Sequence, residues 1–167
     1  MKDTLGMGVQ RYLRDHHVAN LSTCGHDGPW GAAIFYANDG YTLYFLSSPT
    51  SRHCLDLTDN PCVAVTIQEN QVDWLAIKGV QIQGIASKIS GAEEEKARSL
   101  YGEKFPLVGL LAKAPAAIVQ AMAKVSWYKV VPHRLYFIDN SLGLGHRDEL
   151  ALGLPDGGGK SGGNDGA

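Results

Sequence analysis

The sequence predicts a mainly β, α+β fold: an antiparallel barrel of six or seven strands with peripheral helices. Short alternating apolar stretches are joined by Asp-Gly turns too tight for crossover helices. A helical period occurs only at the start, after the third strand and before the closing strands, so helices and strands do not alternate as a parallel sheet requires. The 167 residues are 44% apolar, enough for one buried core.

Leu5, Val9, Tyr12 and Leu13 fall on one face of an opening helix, with Asp3 or Thr4 as candidate caps. Residues 17–25 (HVANLSTCG) and 30–37 (WGAAIFYA) are strands around an Asp27-Gly28 turn, and 41–47 (YTLYFLS) is a third strand after Asp39-Gly40. Residues 49–53 break the alternation, and a short helix is expected to end near Asn60-Pro61. Residues 62–68 (CVAVTIQ) form a β-branched strand. Residues 75–90 alternate for longer, with a slip near Gly79 that suggests a bulge. Residues 91–101 are a helix with acids in the first turn, 105–124 a helical region broken at Pro115, and 127–131 and 134–139 two closing strands. Seven of the 20 glycines lie beyond residue 152, so 1–152 reads as one domain and 153–167 as a Gly-rich disordered tail.

A net charge of −2 argues against a nucleic-acid partner. The most apolar stretch is interrupted by Lys113, Pro115 and Gln120, so no membrane span is expected. Three cysteines without CxxC spacing exclude a disulfide framework or a zinc ribbon and suit reduced thiols in the cytoplasm. No metal site is expected. His16 and His17 read as strand neighbours on opposite faces, and Cys24, Cys54 and Cys62 have no base placed beside them by sequence.

The segment most informative about chemistry is 46–53, LSSPTSRH. A strand runs into hydroxyl residues, a proline and a basic pair at a helix start, where unpaired backbone N–H groups favour an anion. Arg52 offers a planar fork for phosphate oxygens and His53 a second donor. The plainer alternative is that Thr50 or Ser51 caps the helix and Arg52 is solvated. Gly31, Ala32 and Ala33 are small enough for a flat ring, or for a tightly packed sheet crossing.

The order GAAIFYANDG, YTLYFLSS, TSRH, a short helix ending in NP, and then the GVQIQGIASKI strand resembles the pyridoxamine-5′-phosphate-oxidase-like FMN-binding split β-barrel, over about residues 5–146. The run IDNSLGLGH (138–146) is similar to a small uncharacterised bacterial branch of that superfamily. The resemblance implies a homodimer with FMN at the interface. The strand carrying Gly31, Ala32, Ala33, Ile34, Phe35 and Tyr36 would lie along the flavin ring, and Leu46 and Ser47 near the ribityl chain or phosphate. Thr50, Ser51, Arg52 and His53 would hold the phosphate, with His53 standing where the family has lysine. The partner subunit's share would come from Lys78, Gly79, Val80 and Gln81, and Trp127 would cover a ring edge.

The expected function is thus an FMN-dependent oxidoreductase acting on a small molecule or an electron donor. The alternatives are a flavin- or haem-binding carrier or sensor without turnover, with His146 as the haem candidate, and a bare dimeric barrel. The stretch 132–135 (PHRL) is expected to start an ordinary closing strand rather than to form the oxidase's substrate grip.

Overall fold

A computed structural model describes residues 2–106 and 113–152. The predicted tail beyond residue 152 and the apolar stretch 107–112 lie outside the described residues.

Helix α1 (Lys2–Asp15) begins earlier than the sequence suggests, so Asp3 and Thr4 lie inside its first turn. Strands β1 (Val18–Gly25) and β2 (Gly28–Asp39) follow, with Gly25 opposite Gly28. Neither His26 nor Asp27 has positive φ, and Gly28 takes the left-handed position at φ 88°. The turn therefore spends its glycine after the two loop residues, as a bulged hairpin does. β3 (Thr42–Ser47) is reached through Gly40, whose φ of 56° meets the need for a positive φ at the first loop position.

After α2 (Arg52–Asp59) come β4 (Cys62–Gln68), a single 3-10 turn at Trp74–Ala76, β5 (Lys78–Lys88) and α3 (Gly91–Lys104). Helix α4 (Ala116–Met122), preceded by Pro115, leads into β6 (Ser126–Asp139). A 3-10 turn (Asn140–Leu142) then leads to β7 (Arg147–Ala151). The strand order is β3-β2-β1-β4-β5-β6-β7, and β3 also pairs with β6. Six antiparallel strands thus close a barrel, and β7 extends β6 outside the closure.

Two expectations need correction. The closing strands are one strand of 14 residues, so 132–135 lies in its middle and Arg134 pairs with Glu149 of β7 at 2.9 Å. The bulge is not at Gly79 but between Gln83 and Gly84, where β6 steps from Arg134 to Pro132 and leaves His133 as the extra residue. Proline cannot donate to a ladder, and a Cβ on Gly84 would stand 2.6 Å from the Val131 carbonyl. The slip in the sequence near Gly79 arises because Ile77 lies before the strand.

The barrel is filled by inward residues such as Leu21, Phe45, Val65, Ile67, Val80 and Leu135. α1 closes the end marked by Lys78: Tyr12 donates to the Lys78 carbonyl (3.0 Å) and Tyr36 to that of Leu13 (2.8 Å). α2 closes the other end with Cys54 and Leu57. It is locked to β1 by a buried 2.7 Å hydrogen bond from Thr23 Oγ1 to Asp56. A second core of Ala37, Tyr44, Ile89, Ala97, Tyr101 and Trp127 lies between the barrel and α3.

Candidate functional site

The segment 46–53 leaves β3 and turns into the first residues of α2. Ser47 Oγ and His53 Nε2 share a 2.7 Å hydrogen bond. Ser51 Oγ lies 3.1 Å from the same nitrogen and 3.2 Å from Ser47 Oγ. Ser48 and Thr50 hydroxyls form a second pair at 2.9 Å. Ser51 is the N-cap residue by position, yet its hydroxyl makes no capping bond. The side-chain oxygens thus bond to one another and to an imidazole, beside a helix start whose first-turn N–H groups carry partial positive charge.

Arg52 turns away from this cluster. Its Nη2 donates to the carbonyls of Asp27 (3.1 Å) and Gly28 (3.5 Å), and its guanidinium lies 4.7 Å from the centre of the Trp30 ring. Its Nε is buried and has no hydrogen-bond partner among the described residues. An orphaned cationic N–H, on the residue between Ser51 and His53, fits a group bearing acceptor oxygens, such as a phosphate. Trp30 and Ser48 are not among the cofactor residues expected from the sequence, although Ser48 sits inside the segment 46–53.

The structure also corrects the reading of Cys54. The residue is 4% exposed, and burial pushes its thiol pKa up. Hydrogen bonding with His53, Ser51, Tyr128 and Ser47 outweighs that and brings it down to about 7. The chain therefore does place an imidazole within reach of this cysteine.

On β2, Gly31, Ala33 and Phe35 face outward, Phe35 being 59% exposed. Ala32 is half-buried, while Ile34 and Tyr36 point into the core, so those two could meet an outer ligand only through backbone. The same outer face continues through Val18, Asn20, Ser22 and Cys24 of β1, Cys62, Ala64, Thr66 and Gln68 of β4, and Gln81 and Gln83 of β5. None of these side chains is charged.

Lys78, Gly79 and Gln81 line a cavity of about 320 Å³ with Thr66, Gln68, Ile77 and Ile138, and Val80 points into the core. This cavity is not brought together with Ser51–His53 in one chain. It lies at the α1 end of β5, whereas Ser87 and Lys88 of the same strand border Cys54, about 30 Å away along the strand. Leu46 is half-buried at the close of β3, where it packs against the second core. Trp127 is a correction: at 1% exposure, beneath α3 and Arg98, its ring has no outer edge to offer a cofactor.

The run 138–146 is a staple. Asn140 donates to the Trp74 carbonyl (2.8 Å) and accepts from Gly145 N (3.0 Å), and Asp139 pairs with Lys78 (3.0 Å). The Gly143–Gly145 turn is thereby pinned. His146 Nε2 is held 3.0 Å from Asp148. His16 is not on a strand: its ring stacks on Tyr12 and its Nε2 contacts Glu69 at 2.8 Å. Among the described residues, no cluster of three or more metal-ligating side chains occurs, and no helix is long and apolar enough to cross a membrane.

A six-stranded closed barrel with a hydroxyl-and-basic turn at the entry to α2 defines the split-barrel class. The chain belongs to the pyridoxamine 5′-phosphate oxidase family, whose profile matches residues 8–139. Within it, the chain is 31% identical over 147 residues to a UPF0306 protein of Klebsiella pneumoniae, covering 87% of this chain and 91% of that one. The fold is similar to that of a haem-binding protein from Mycobacterium smegmatis (TM-score 0.66, 22% identity). That match covers 85% of this chain and 56% of the other, so this chain spans just over half its length. The haem storage protein HutZ from Vibrio cholerae is a further structural neighbour (TM-score 0.61, 17% identity, 77% and 89% covered).

Proposed function

We propose that the chain binds FMN between two copies of the barrel and acts as an oxidoreductase on a small molecule or electron donor. The observation that carries this reading is the cluster of Ser47, Ser51 and His53 at the start of α2, together with the buried Nε of the intervening Arg52, which has no partner among the described residues. These groups would hold the phosphate. Gly31 and Ala33 would let a flat ring approach the β2 backbone. Lys78 and Gln81, at the far end of β5, would meet that ring only from a second copy. The uncharged outer face of β1, β2, β4 and β5 supports such a pairing, because the centres of protein interfaces are depleted in charge. Bound FMN would supply the electron acceptor. Around it, the protein's groups would bind, orient and exclude water, with no acid or base of the chain required.

Size-exclusion chromatography with light scattering, an absorption spectrum and FMN titration test this reading. A yellow dimer, with NADH or NADPH reducing the flavin, is expected. A monomer that stays colourless with added FMN would refute it.

A second reading, a haem or flavin carrier without turnover, is favoured by the haem-binding structural neighbours and by the His146–Asp148 pair, which fixes an imidazole in place. A Soret band on haem titration, lost in His146→Ala, would favour it over the enzyme.

A further inference from the structure

Lys104 ends α3 in surroundings unlike those of an ordinary surface lysine. Its Nζ donates to the Leu13 carbonyl of α1 (2.9 Å) and lies 4.1 Å from the centre of the Tyr36 ring. Among the described residues no carboxylate pairs with it. It lines a cavity of about 290 Å³ with Arg14, Ala37, Asn38, Leu100 and Glu103. Arg14, on the last turn of α1, has no ion pair or hydrogen bond from its side chain among the described residues.

The charged groups around the amine are few. Arg14 and Asp15 come from α1 and Glu103 from α3, while β2 contributes only the Tyr36 ring and the Asn38 amide. Asp15 favours the ammonium, but burial outweighs it and brings the Lys104 pKa down to about 8. At pH 7.5 about a quarter of such an amine is neutral, against about 0.1% for one at the ordinary 10.5. A nucleophilic lysine of this kind is made by desolvation.

We propose that Lys104 is an acylation site that takes its acyl group from small acyl phosphates, with Arg14 facing the phosphate end. The neutral amine attacks the acyl carbon: a C–N bond forms, the C–O bond to phosphate breaks, and the amine's proton leaves with inorganic phosphate. No electrons are transferred. The product amide removes the ammonium from the Tyr36 face and weakens the joint that α3 makes with the last turn of α1. This site is separate from the α2 turn and does not depend on FMN.

The test treats the full-length protein with acetyl phosphate at pH 7.5 and follows each of the nine lysines by peptide mass spectrometry. The larger neutral fraction is partly offset by the weaker basicity of the amine, so Lys104 should react about tenfold faster than the median lysine. Arg14→Gln and added inorganic phosphate should each slow that step several-fold. With a phosphate-free donor, N-hydroxysuccinimidyl acetate, Lys104 should still lead and Arg14→Gln should have no effect. A Lys104 rate no higher than that of the other lysines overturns the proposal. So does a lead over them with acetyl phosphate that Arg14→Gln and added inorganic phosphate leave unchanged.

Discussion

Gly25→Ala is the most discriminating single perturbation of α2, the helix that carries Arg52 and His53. Gly25 does not have positive φ, so alanine strains no backbone there. The added Cβ would stand 2.1 Å from Asp56 Oδ1 and 2.7 Å from its Cγ, where real Cβ contacts essentially never fall below 3.0 Å. The Asp56 carboxylate must therefore move by at least 0.9 Å, and the 2.7 Å bond from Thr23 does not survive that shift. A buried hydrogen bond to a charged group contributes about 1.5–3 kcal/mol. Overpacking costs about 1–3 kcal/mol more, and the two overlap, so a loss of about 3 kcal/mol is expected. Urea unfolding of Gly25→Ala, Asp56→Ala and the double variant measures it. Once the Asp56 carboxylate is gone the Cβ has room, so Gly25→Ala should then cost under about 1 kcal/mol, a coupling of about 2 kcal/mol. A single variant within about 0.5 kcal/mol of the parent, or an equal cost in both backgrounds, would show that this contact does not hold α2.

Other outcomes follow from the same geometry. Arg52→Ala should weaken FMN binding about 10- to 100-fold, the range of one charge-assisted hydrogen bond, and shift stability by no more than about 1 kcal/mol; equal affinity in titration removes Arg52 from the site. Asn140→Ala breaks both ends of the staple and should cost about 2 kcal/mol while changing tryptophan emission through the exposed Trp74. For Cys54, the thiolate fraction rises as pH passes upward through about 7, so alkylation followed by mass spectrometry should show a half-maximum there. Because the folded thiol ionises below its ordinary 9.0, ionisation favours the fold. That stabilisation appears as pH rises through about 7, is complete above 9.0, and is absent below 7. A midpoint near 9 would mean that His53, Ser47, Ser51 and Tyr128 do not surround the thiol in solution.

Strand and helix identity was legible because it rests on local periodicity: the alternation at 62–68, the two hairpin glycines and the 5-9-12-13 stripe each report on a few neighbouring residues. The α2 turn was legible for the same reason, since its hydroxyls and bases are consecutive. The bulge was placed wrongly because it depends on two strands at once. Gly84 must be small only because the Val131 carbonyl lies across from it, some 47 positions along the chain. Trp127 was misjudged because nothing local reveals that α3 covers one side of β3 and β6.

The sequence alone therefore determined where most strands and helices lie, where the two hairpins turn, and which eight residues crowd hydroxyl and basic side chains together, because near-neighbour spacing and side-chain type suffice for those. The tertiary structure alone decided that Arg52 lies on Trp30, that Cys54 shares His53 with two serines, that Lys78–Gln81 stands at the opposite end of the barrel, and that Lys104 is desolvated over Tyr36. Each of these arises where distant segments exclude water from one another, and solvent exclusion is a property of the closed barrel that no local pattern encodes.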